Sequence, residues 1–263
     1  MRVGTVYLVG AGPGAPDLLT LRAAEVLQRA DIVFHDALVH PRTIALAASA
    51  ERVAVGKRSG KHSTAQRFIN KRLIDAARKH AVVVRLKGGD PMLFGRAQEE
   101  IDALEAAGIP WKVVPGVTAA LAASAELGIS LTRRGLARSV AFVTPRVGAG
   151  ERANDWARTV ASSDTAVIYM GAGQAESITR ALLEHGMAAT TPVVVVESAT
   201  LSDRRQWSLM LRDLPRIADL GLPGPALILL GEIYAGVAAL AFRSGLVAAP
   251  RYARQPVGEA ATQ

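Results

Sequence analysis

The chain has 263 residues, half of them hydrophobic, enough for one large or two smaller domains at roughly 100–200 residues each. It has no cysteine, which excludes a disulfide framework and any thiolate metal site. The net charge of +8 fits either a solubilising surface or a field that gathers a polyanionic small molecule; the basic residues are scattered and no nucleic-acid-binding module accompanies them, so no nucleic-acid partner is expected.

The opening stretch MRVGTVYLVGAGPG does not read as a signal peptide. No run of about 18 apolar residues marks a membrane span, so a soluble, cytoplasmic protein without a membrane partner is expected. A short aliphatic run at 6–9 predicts a first strand, and apolar spacing over 17–29 predicts a helix with Asp17 as N-cap behind Pro16. Further strands are expected at 32–34, 82–86, 111–114, 140–144, 165–170, 192–196 and 226–230. Helices are expected between them: one opened by the capping box Ser63 and Gln66 and running to about His80, one over 99–107 stopped by Gly108, an Ala-rich one over 118–127, and one over 174–185 closed by Gly186.

Strands alternating with helices argue for an α/β class with mostly parallel sheets. The rhythm breaks at TRRGLARS, residues 132–139. The expected division is therefore an α/β domain over 1–135, a second over 136–242, and a flexible tail over 243–263, with the active site in the cleft between the domains. The five histidines, His35, His40, His62, His80 and His185, form no i, i+4 pair and no HExxH frame, so no metal site is expected.

Gly10, Gly12 and Ala15 fit the dinucleotide-binding spacing G-x-G-x-x-A, and the second strand ends in an acid, Asp36. That leaves a dinucleotide-dependent oxidoreductase as one reading. The chemistry argues against it: a pyrophosphate needs backbone N–H donors, and Pro13 and Pro16 have none. Two prolines instead make a rigid rim for a less charged ligand. A second loop, VRLKGGDPMLFG, ends a strand at Lys87 and bares the backbone at Gly88 and Gly89, with Asp90 placed to accept from ribose hydroxyls or an amino group. VVPGVTAA repeats the theme with Thr118, and VIYMG, VESAT and GPALILLG add three strand-edge turns in the second half.

The ordered set VGAGPG, RLKGGDP, FGR, VVPGVTAA, YMG and GPALILLGE resembles the tetrapyrrole methylases, over nearly the whole chain. These are S-adenosylmethionine-dependent enzymes of two α/β domains. GKRSGKHSTAQRFIN and RLKGGDPMLFGR are similar to members that methylate uroporphyrinogen III at carbon to give precorrin-2; a methylase of a later corrinoid precursor is the alternative. The resemblance implies cofactor contacts at Pro13, Gly88, Gly89, Asp90, Leu93, Thr118, Ala119, Met170, Ala199 and Ala226, no metal, and a homodimer. It implies that Arg96, Arg133 and Arg134 bind substrate carboxylates, with Lys57 and Arg58 as weaker candidates. For catalysis, Arg96 and Glu99 are spaced to share one helix face, with Glu99 either orienting Arg96 or acting as the base, and Asp36 is a second candidate base. The sequence departs from the family pattern at Ala37, where an Arg is common, and at Ala97 and Gln98, where glycines are; Arg133 stands where a His is common.

Overall fold

The computed structural model describes residues 3–56, 66–148 and 154–237. Lys57, Arg58, Ser63 and the tail from Arg243 lie outside them. The chain divides into two compact units: Met1–Ala122 with Thr200–Ser202, and Ala123–Ala199 with the residues from Asp203 on. The break therefore falls within the Ala-rich helix rather than at 132–139. That later segment is a tight turn, in which Arg133 and Ala137 exchange backbone hydrogen bonds of 2.9 and 2.8 Å around Gly135 at φ 78°.

The first unit is built on five strands: β1 (Thr5–Gly10), β2 (Ile32–His35), β3 (Glu51–Ala54), β4 (Val82–Lys87) and β5 (Trp111–Val114). Their spatial order is β3-β2-β4-β1-β5, and every pairing is parallel. Side chains alternate along each strand, so Val83 and Val84 feed opposite cores. One core gathers Val6, Leu8, Phe34 and Val83 against α3 (Gln66–Ala77) and α4 (Ala97–Ala106). The other gathers Val9, Val33, Val84 and Leu86 against α1 (Leu21–Gln28), with Ile44 of α2 (Pro41–Ala45) packed beside it. The apolar valine runs thus suit a sheet buried on both faces.

This order creates a switch point. The chain leaves β1 through α1 on one face and leaves the neighbouring β4 through α4 on the other, so the loops after β1 and β4 part beyond their strand ends. Ligands of open parallel sheets bind in such crevices.

The expected helix at 17–29 starts late. Pro16–Leu18 forms a single 3₁₀ turn, and α1 begins at Leu21 behind Thr20, whose Oγ1 accepts from Ala23 N at 3.2 Å. Thr20 therefore takes the capping role expected of Asp17.

The second unit holds α5 (Ala119–Leu127) from Ala123 on, β6 (Val140–Val143), α6 (Trp156–Ala161), β7 (Thr165–Tyr169), α7 (Ala175–Glu184), β8 (Pro192–Glu197), β9 (Arg205–Met210), a 3₁₀ stretch at Leu211–Leu220, and β10 (Ala226–Leu230). The sheet order is β6-β7-β10-β8-β9. Here the expectation of parallel pairing meets a difference: β6 and β7 are parallel, but β10 runs antiparallel to β7 and β8, and β9 antiparallel to β8. Seven residues join β8 to β9, too few for the crossover that a parallel pair requires. The core of this unit packs Ile168, Val195 and Ile228 against α6, α7 and the 3₁₀ stretch.

Candidate active site

In the first unit the candidate residues collect at the carboxyl edge of the parallel sheet. The loop after β1 and the turn after β4 are joined back to back. Gly12 N donates to the Gly89 carbonyl at 3.2 Å, Gly89 N to the Gly12 carbonyl at 2.7 Å, and Ala11 N to the Lys87 carbonyl at 2.7 Å. Gly116, in the loop after β5, presses on both: a Cβ there would lie 2.9 Å from Gly10 Cα and nearer still to the Gly89 oxygen. Three glycine-bearing loops thus meet backbone to backbone, which only residues without Cβ permit.

Gly89 differs from its neighbours. Its φ is 65°, a region L side chains rarely adopt, yet an added Cβ would meet nothing within 4 Å. The turn is bare toward open space. Asp90 stabilises it from below: Oδ1 accepts from Met92 N and Oδ2 from Gly116 N, both at 2.8 Å. Both oxygens expected to meet a ligand thus already hold backbone, each with a second lone pair remaining. Leu38, Met92 and Phe94 expose apolar side chains on the loops of this same edge.

Three of the N–H groups that a pyrophosphate would need are engaged. Ala11 and Gly12 donate as described, and the buried Ala15 N donates to Thr200 Oγ1 at 2.9 Å. With Pro13 and Pro16 lacking the group altogether, the dinucleotide reading of this loop finds no cradle.

Backbone strain marks the same regions. The non-glycine residues at positive φ among those described are Phe94 (52°), Arg96 (56°), Met170 (56°), Ser198 (50°) and Thr200 (71°). All lie in loops after β4, β7 and β8, and left-handed conformations cost L residues about 1–2 kcal/mol each, a cost that tends to persist at functional sites.

Arg96 sits at the N-cap position of α4 and forms a two-pronged pair with Glu99, Nε to Oε1 at 2.6 Å and Nη2 to Oε2 at 2.7 Å, with both side chains about half exposed. The hydrogen bond from Arg96 holds the Glu99 carboxyl below its ordinary range. The adjacent Glu100 is fully buried. It accepts from Arg85 Nε at 2.9 Å, Lys87 Nζ at 2.9 Å and Gln66 Nε2 at 3.1 Å. Arg85 Nη2 in turn meets Asp36 Oδ1 at 2.5 Å. Burial alone would pull the Arg85 guanidinium down, but the Asp36 and Glu100 carboxylates outweigh it and hold it above its ordinary value. Lys87 is pushed below its ordinary value, by burial and by the neighbouring Arg85. Sequence reasoning missed Arg85, Lys87 and Glu100 as a group. The signal was present: two cations at i, i+2 in a valine-rich strand must share one face, and that face is a core.

The candidates of the second unit form their own group. Met170 follows the end of β7, Ala199 follows β8, and Ala226 opens the antiparallel β10 in register with Glu197. All three therefore lie at one edge of the second sheet, Met170 exposed and Ala199 buried. Arg133 and Arg134 do not join that edge; they are exposed on the turn preceding β6, whose start pairs with the start of β7. Thr118 and Ala119 are half-buried around the start of α5, and Leu93 and Pro13 are half-buried in their loops.

Residues 5–215 match the sequence model of a family described as Tetrapyrrole (Corrin/Porphyrin) Methylases. The chain belongs to this family. Among its relatives, the siroheme synthase of Pseudomonas fluorescens is 47% identical over 232 residues, covering 88% of this chain and 50% of that protein. Siroheme synthase 1 of Cronobacter sakazakii is 47% identical over 231 residues, 88% of this chain and 49% of that protein. The chain thus spans about half the length of the curated relatives it matches. Among solved structures, a uroporphyrin-III C-methyltransferase from Thermus thermophilus complexed with S-adenosylhomocysteine is similar with a TM-score of 0.78 at 42% identity, over 89% of this chain and all of that one. A cobalt precorrin-4 methyltransferase is similar with a TM-score of 0.75 at 28% identity, over 87% of this chain and 95% of that one.

Proposed function

We propose that this tetrapyrrole methylase is a uroporphyrinogen-III C-methyltransferase, transferring two methyl groups from S-adenosylmethionine in succession to give precorrin-2. The observation that carries the reading is the bare Gly88–Gly89 turn at the switch point, open where a Cβ would stand and flanked by loops with no N–H cradle for a pyrophosphate. The fit is chemical as well as steric. A sulfonium donor is cationic, and this edge offers the Asp36 and Asp90 carboxylates beside exposed apolar side chains. Gly88, Gly89, Leu93, Thr118, Ala119 and Pro13 would hold the donor; the assignment of Met170, Ala199 and Ala226 to it rests on the resemblance alone.

When bound, the donor supplies an already activated methyl group. The chain's task is then orientation and charge. Leu38, Met92 and Phe94 offer an apolar rim for the macrocycle. Arg96 engages a substrate carboxylate by exchanging its Glu99 partner; the assignment of Arg133 and Arg134 to substrate rests on the resemblance alone. Asp36 accepts the proton that the methylated ring must lose, at the carboxylate oxygen that Arg85 does not hold.

No group of three or more potential ligand residues that could hold a metal is present among the described residues, and none of their helices is long and apolar enough to cross a membrane. A cytoplasmic homodimer is the state we infer, from family resemblance; light scattering tests its dimeric part. The decisive experiment for function is mass spectrometry of uroporphyrinogen III after anaerobic incubation with the protein and S-adenosylmethionine. Addition of two methyl groups is expected, and no addition would overturn the proposal. Methylation only of a later corrinoid precursor would overturn its substrate.

A further inference from the structure

Arg85 and Lys87 leave β4 two residues apart on one face, and each is only 3% exposed. Glu100, from the first turn of α4, fits between them with no exposure at all, each oxygen taken by one of the two cations. One buried carboxylate against two buried cations leaves a positive charge in the interior. Asp36 balances it. It follows the end of β2, beside β4 in the sheet, and meets Arg85 through Oδ1 at 2.5 Å. Among these four side chains Asp36 alone is open to solvent, at 31% exposure against 4% or less for the others. Among the described residues its Oδ2 has no partner.

Stability is a weak ground for this arrangement, since apolar side chains of similar volume often pack such a site at equal or greater stability. What apolar residues cannot do is pin one oxygen of a carboxylate at the ligand edge and leave the other available. The guanidinium is itself pinned: Nε by Glu100, Nη1 by the Leu86 carbonyl at 3.2 Å, Nη2 by Asp36. Glu100 is held by Lys87 and by Gln66 from α3. The chain of contacts runs from the packed helices to one exposed carboxylate oxygen.

We propose that Arg85 is a positioning residue for methyl transfer, fixing Asp36 so that its second oxygen meets the substrate, with Glu100 and Lys87 locking the guanidinium from behind. The role rests on the reading of Asp36 as proton acceptor, and the test separates the two. Turnover with uroporphyrinogen III and calorimetric titration with S-adenosylhomocysteine are measured for Arg85→Leu, Arg85→Lys, Asp36→Ala and the double variant Arg85→Leu with Asp36→Ala. The expected result is a kcat reduced on the order of tenfold or more in Arg85→Leu, KM and S-adenosylhomocysteine affinity within about twofold of the parent, and partial recovery in Arg85→Lys. The double variant is expected to be no slower than Asp36→Ala, because Arg85 acts through Asp36.

A folded Arg85→Leu at the parent kcat, or losses that multiply in the double variant, would overturn the role. If Arg85→Leu does not fold, the joint replacement Arg85→Met, Lys87→Met and Glu100→Leu leaves no buried charge unpaired and carries the same comparison. A full kcat in Asp36→Ala alone would overturn the reading of Asp36, and this role with it, while methyl transfer itself stands.

Discussion

Gly89 and Gly116 are both glycines of the candidate ligand edge, but different physics keeps them so. At Gly116 a side chain would strike the backbone of Gly10 and Gly89, so Gly116→Ala must push two loops apart. At Gly89 nothing of the protein is in the way, and only the φ of 65° resists. Gly89→Ala is therefore expected to cost about 1 kcal/mol in a thermal melt, with Gly116→Ala costing clearly more. Calorimetry with S-adenosylhomocysteine should show the affinity of Gly89→Ala falling out of proportion to its small melt shift, because the new methyl enters ligand space. Equal affinity with the strain present would place the ligand elsewhere. Under the proposed function Arg96 exchanges its Glu99 partner for a substrate carboxylate, so Arg96→Leu should raise KM for uroporphyrinogen about tenfold while cofactor affinity holds. Equal loss of both affinities would mark a folding defect. Asp90 shows what sequence conceals at this scale. A carboxylate in a Gly-Asp-Pro turn reads as a ligand contact, whereas here it ties Met92 and Gly116, so Asp90→Ala is expected to loosen the turn itself.

Elements with strong apolar periodicity were legible in the sequence, among them β5, β7, β10 and helix α7, whose bounds lie within a residue or so of the expectation. Those missed have little of it. β3 is ERVA, an edge strand with three of its four residues exposed, and β9 begins in RQ before its single Trp. Weak elements are held instead by contacts distant in sequence. At the start of the second sheet, Asp164 Oδ2 accepts from Arg138 N at 2.8 Å, Ser139 N at 2.9 Å and Ser139 Oγ at 2.8 Å, clamping the start of β6 to that of β7. These donors, the Arg138 N–H foremost, lower the Asp164 pKa below 3.8. A carboxyl depressed in the fold binds fewer protons folded than unfolded, so it stabilises the fold above its unfolded pKa, and the contribution fades as pH falls through the folded value. Asp164→Ala should accordingly melt below the parent at pH 7, with the gap closing as the pH is taken well below about 4. A gap of the same size in acid would mean that the clamp is not the ionised carboxylate.

At the scale of the whole molecule, the alternation of strands and helices conveyed the α/β class, but strand order did not follow from it. The switch point between β1 and β4, and the antiparallel insertion of β10 between β7 and β8, depend on pairings that local periodicity does not encode. Nor does sequence distance show that Thr200–Ser202, far along the chain, belong to the first unit. Thr200 there holds a strained φ of 71° and receives the buried Ala15 N–H, 185 residues earlier. That bond fixes the loop carrying Pro13, next to the bare turn. Thr200→Val keeps the branched shape at the same backbone angle and removes the acceptor, leaving a buried N–H unpaired at about 1–3 kcal/mol. Thr200→Ser keeps the hydroxyl. The valine variant should melt measurably lower and bind S-adenosylhomocysteine more weakly, because the Pro13 rim is no longer anchored, while the serine variant stays near the parent in both. If the two variants melt and bind alike, the hydroxyl does not anchor the loop, and the strain at Thr200 is maintained by packing alone.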